Sequence, residues 1–195
     1  MAIDFFVMPF SRYIAGDFIT PAMRLGWETA GRYVVVGPEG ARELAKDQPF
    51  GGIDAARRRE QILPMVLEDL RALPAPFTWD ESSPAEPRFH RVDPTSYGAL
   101  LEEANHRRGR PSFLGFLTRA QETTPHLTAT VFLPSSFEET FQMASPFERV
   151  VGSVEVALEE LAAGRWDDRT SPAREKLQAA LEDAQALRLP MFVDL

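Results

Sequence analysis

The 195-residue chain is 44% hydrophobic and 26% charged, a globular mixture too apolar for a disordered chain and long enough to bury one substantial core. Its 29 acidic against 21 basic residues leave a formal charge of -8, which argues against nucleic acid as a partner. The absence of cysteine removes disulfides, thiolate nucleophiles and Cys-ligated zinc, and it fits a single domain spanning 1–195 in a reducing, cytoplasmic setting.

Met1 to Pro9 has no basic run ahead of its apolar stretch and holds Asp4 within it, so neither a signal peptide nor a membrane span is expected there. Short apolar runs predict strands at Ile3 to Met8 and Tyr33 to Val36. The sequence Val34-Val35-Val36-Gly37-Pro38-Glu39-Gly40 then reads as a strand leading into a helix over Pro38 to Asp47. A helix start after a strand can hold phosphate, but Glu39 places negative charge where the phosphate would sit, and no glycine-rich nucleotide motif is present. No cofactor is expected.

Further along, Asp54 to Leu73 reads as a helix, and Pro64 within it predicts a kink or break. The stretch Leu73 to Pro87 carries four prolines and is the one possible internal boundary. Phe77 and Trp79 within it are too apolar for a solvated linker, so it reads as a loop packed on the domain. A strand at Phe89 to Val92 precedes Asp93-Pro94, a cap and first-turn pair opening a helix to Arg108 that ends at Gly109. Leu127 to Leu133 alternates as a further strand.

Ser135 with Glu138, and Ser145 with Glu148, have capping-box spacing and predict two helix starts. Phe147, Val150, Val151, Val154, Leu158 and Leu161 form one apolar helical stripe ending at Gly164. Ser171-Pro172 opens a last helix, and the short link through Trp166 predicts a C-terminal helical hairpin. The final Pro190 to Leu195 reads as a packed tail rather than a strand. The fold class is therefore mixed α/β, or α+β: helix-rich, with helices packed on a small sheet.

The chemistry is less marked. No G-x-S-x-G turn is present. Glu103 and His106, with Glu102, share a helical face but lack a second ligand helix, so they read as a surface pair and no metal site is expected. His90, Asp93, Glu102, Glu103 and His106 gather around one strand-to-helix segment, the basis for an alternative reading as a small-molecule enzyme using His and carboxylate residues. Arg107, Arg108 and Arg110 beside them could meet an anion.

Charge favours another reading. Residues 135–195 hold 12 acidic and 6 basic groups; Glu155, Glu159 and Glu160 have no Lys or Arg close by in sequence, and Asp167 and Asp168 extend the negative charge into the following turn. These five residues are the expected docking surface for a basic protein, steered by the acidic field. The function expected is thus protein binding of an inhibitor type, analogous to bacterial immunity proteins. Nineteen of the 21 basic residues are Arg, as codon usage in a GC-rich bacterial genome would produce.

Overall fold

The computed structural model describes residues 2–37, 40–108 and 124–194. Six strands form one sheet: β1 (Ile3–Val7), β4 (Arg88–Val92), β5 (Val131–Leu133), β6 (Phe141–Met143), β7 (Arg149–Ser153) and β8 (Met191–Asp194). Their order is β4-β1-β8-β5-β7-β6, with β5 parallel to β7 and every other neighbouring pair antiparallel. The fold is mixed α/β.

Strand alternation divides the apolar side chains between two cores. Ile3, Phe5, Val7, Phe132, Met191 and Val193 face one side. There they meet α4 (Pro94–Arg108), α5 (Val154–Ala163) and α6 (Ser171–Leu187). Phe6, Phe192, Val131 and Val151 face the other side, against α1 (Phe10–Ala15), α3 (Ala55–Arg71) and the proline-rich stretch. Ala75 and Trp79 of that stretch are buried, so it packs as expected. Helices α5 and α6 meet across the Trp166 connection as the expected C-terminal hairpin.

A smaller unit flanks the sheet. Strands β2 (Tyr33–Gly37) and β3 (Gly40–Leu44) form a hairpin against α2 (Pro21–Ala30), burying Met23, Trp27 and Leu44. This corrects the helix expected over Pro38 to Asp47, of which Pro38 and Glu39 lie outside the described residues. Pairing with the Val-rich strand and burial of Leu44 outweigh the local helical signal, and Gly40, at φ +108°, supplies backbone that other residues resist.

Other expectations change for similar reasons. The stripe from Phe147 to Leu161 is not one helix: Arg149–Ser153 is strand β7, and Ser153 then caps α5 with its hydroxyl accepting from Val156 N at 3.3 Å. No helix starts at Ser135 or Ser145. The Ser135 hydroxyl donates to the Pro76 carbonyl at 2.6 Å, and that of Ser145 to Asp69 at 2.7 Å. Residues His126–Thr128 form a 3-10 turn ahead of the short β5. The C-terminal segment is β8, paired on both sides inside the sheet. Pro64 lies inside α3 without ending it.

Candidate functional site

The expected docking residues divide into two groups. Glu155 and Glu159 are exposed, one turn apart on α5. Neither has an ion-pair partner among the described residues. Asp167 and Asp168 are also exposed, at the 3-10 turn Asp168–Thr170; the Asp167 carboxylate accepts from Arg169 N at 2.9 Å. Glu160 instead turns inward. Its two oxygens accept from the main-chain N–H groups of His126 (3.2 Å) and Leu127 (3.0 Å), satisfying donors at the start of the 3-10 turn.

The acid-base group around residues 90 to 106 does not converge on one point. His90 reaches across to α6, with Nε2 2.8 Å from Asp183 Oδ2. Asp93 caps α4 by accepting from Ser96 N at 2.8 Å, and the Ser96 hydroxyl, followed by that main-chain bond, holds its pKa below the ordinary Asp value. Glu103 accepts from Asp167 N at 3.1 Å, while His106 Nδ1 bonds the Glu102 carbonyl. Arg107 and Arg108 end α4, whereas Gly109 and Arg110 lie outside the described residues.

His126 is fully buried. Its Nδ1 accepts from Ser153 N at 2.8 Å and its Nε2 donates to the Glu138 carbonyl at 3.0 Å. Because a backbone N–H can only donate, the ring sits here as the Nε2–H tautomer, with both nitrogens engaged.

What sequence spacing missed lies at one end of the sheet. Asp4 and Asp194 are direct cross-strand partners on β1 and β8. Arg91 on β4 grips Asp4 through Nε (2.6 Å) and Nη2 (2.7 Å). Partial burial, then the Asp4 charge, push the Asp194 pKa up, with Arg149 opposing, although Asp194 retains exposed surface. Beside it Tyr13 stacks on Phe192 at 4.2 Å, and burial pushes its pKa up to about 12. The one signal for this row was that Asp4 and Asp194 each interrupt an apolar run.

Next to Asp4 opens a cleft of about 320 Å³ between α2 and the β1–β4 end of the sheet. Phe6, Phe89, Pro21 and Leu25 give it apolar walls, and Asp4 and Arg91 a charged side. Among the described residues no group of three or more His, Asp or Glu is placed to hold a metal ion. No described helix is long and apolar enough to cross a membrane. Comparison with known protein families, curated proteins and solved structures found no match.

Proposed function

We propose that this is a protein-binding protein of the inhibitor type, which docks on a basic protein surface through the outer face of α5 and the Asp167–Asp168 turn. One observation carries the reading: Glu155 and Glu159 stand exposed and adjacent, on a helix anchored by buried Val154, Ala157 and Leu161. Like charges four residues apart cost an isolated helix roughly 0.2 to 0.5 kcal/mol. A docking role accounts for keeping them together on a rigid support, and Glu160 is left out of the surface because its carboxylate is engaged. The lack of cysteine supports a cytoplasmic setting for this role.

The test combines Glu155→Lys with Glu159→Lys. Both side chains are exposed, so the melting temperature should stay near that of the wild type. A basic partner isolated on the wild-type protein should associate more slowly with the variant, and with a weaker dependence on salt. Association as fast as wild type at low ionic strength would remove the acidic face from the binding site.

The alternative, a small-molecule enzyme using His and carboxylate residues, draws support from Asp4, which both borders the cleft and faces Asp194. Its histidine component is weaker, because the His90 ring is held by Asp183 on the opposite face of the sheet. Nuclear magnetic resonance screening of small carboxylic acids and amines tests it. Compounds that shift Asp4 and Arg91 signals, in a way that changes with Asp194 titration, would favour the enzyme; silence at those residues would end that reading.

A further inference from the structure

We propose that the open edge of β4, with the cleft beside α2, binds an extended peptide as an additional strand, with apolar residues toward the cleft and acidic residues on the opposite side. The inference starts from hydrogen-bond parity. Met8 N donates to the Pro190 carbonyl at 3.1 Å. In an antiparallel ladder bonded pairs recur every second residue, so the main-chain groups of Phe6 and Asp4 also turn toward β8, facing Phe192 and Asp194. Val193 N donates away from β1, to Thr130 O, as this parity requires.

The main-chain groups of Ile3, Phe5 and Val7 therefore turn toward β4, where their partners are Val92, His90 and Arg88. That leaves the N–H and C=O groups of Phe89 and Arg91 pointing off the sheet. No hydrogen bond to these groups is formed among the described residues. Two donors and two acceptors are thus arrayed along an edge, the pattern that strand addition uses.

The edge opens into the cleft. Phe89, His90 and Arg91 all border it, yet only Phe89 and Arg91 share a face with Phe6 and Asp4. His90 directs its ring to Asp183 on the other face, so it meets the cleft through its main chain. Leu25 forms the facing wall and is 59% exposed, an apolar surface that a Leu or Ile side chain of an added strand would cover. Edge strands are often shielded by charged side chains. Here Asp4 holds the Arg91 guanidinium back over β1 by two hydrogen bonds, away from the open main chain.

Charge selects the peptide. The strand Arg88-Phe89-His90-Arg91-Val92 contains no acidic residue. His90 already has Asp183 and Arg91 has Asp4, whereas Arg88 is exposed with no ion-pair partner among the described residues. Opposite charges on directly paired strand residues stabilise and like charges oppose, so acidic side chains suit the Arg88 side of an added strand. This surface is separate from the α5 face.

The probe is the acetylated, amidated hexapeptide Glu-Leu-Glu-Leu-Glu-Leu, titrated into the full-length protein with amide hydrogen exchange as readout. Exchange at Phe89 and Arg91 should be fast in the free protein and slow at saturating peptide. Leu25→Arg and Arg88→Glu alter exposed side chains and should keep the wild-type melting temperature while each weakening binding by about tenfold. The Lys-Leu counterpart, and a version methylated on alternate main-chain nitrogens, should bind weakly or not at all. The Glu155→Lys, Glu159→Lys protein should bind the hexapeptide like wild type, so the two docking surfaces are tested apart. Unchanged exchange at Phe89 and Arg91, or equal binding of the methylated peptide, would overturn strand addition. Equal binding of the lysine peptide would overturn the acidic selectivity.

Discussion

At the scale of single residues, Glu81 shows how a charge can be carried into a core. It is 2% exposed, and its carboxylate accepts from Phe10 N (2.9 Å), Ser11 N (2.9 Å) and the Trp79 indole (2.7 Å). All three partners are donors, so the site needs a group that only accepts. Glu81→Gln keeps the shape but turns an amide NH2 toward a donor, and should destabilise by about 1 to 3 kcal/mol in urea denaturation. Glu81→Ala strands all three donors and should cost more. Asp194 has the opposite sign. Its folded-state pKa is raised, so the native state binds the proton more tightly, and stability is lost as pH rises from the ordinary Asp value through the raised one. Asp194→Asn should therefore raise stability at neutral pH by about 0.2 to 1 kcal/mol, the scale of an unfavourable cross-strand pair. The gain should vanish in acid, and a thermal melt series across pH checks it. Nothing near Glu81 in the sequence marked it, because its donors come from residues about seventy positions earlier and from a neighbour's ring.

Elements show where local pattern is ambiguous. The stripe Phe147, Val150, Val151, Val154, Leu158, Leu161 fits a helical period, yet β7 takes Val150 and Val151. Val150 and Val151 then point to opposite cores, one packing with the α5–α6 helices and the other with the Phe6–Phe192 side. A mixed apolar run satisfies either period, and the place beside β5 in the sheet decides. The junction is tight: a Cβ added at Gly152 would lie 2.8 Å from Ala129 Cβ and 3.0 Å from the His126 carbonyl. Val154 is fully buried and Leu158 only partly. Val154→Asp should therefore unfold the protein or cost roughly 3 kcal/mol or more, Leu158→Asp less, and Ser153→Ala about 1 kcal/mol through the lost cap. Denaturant midpoints will order the three. The reverse ranking would mean that the α5 stripe serves an interface.

For the molecule as a whole, burial on both faces of the sheet is expected to support folding without metal, so a chelator should leave the melting temperature unchanged; a loss reversed by one metal ion would overturn this. Helix boundaries marked by their own chemistry were readable from sequence: Asp93-Pro94 opens α4, and Ser171-Pro172 opens α6. So was the mixed α/β class, because apolar periodicity and proline punctuation act within a few residues of the chain. The exposed pair Glu155 and Glu159 was legible too, since both members lie on one helical turn. Strand order, the placement of the last residues as an inner strand, and the inward turn of Glu160 were decided by tertiary structure alone. The same holds for the cleft, where Asp4 meets Arg91 across 87 positions. Spacing along a chain constrains only groups that share an element. Groups on different strands are brought together by the burial of two sheet faces at once, and that energy belongs to the assembled sheet rather than to any segment of it.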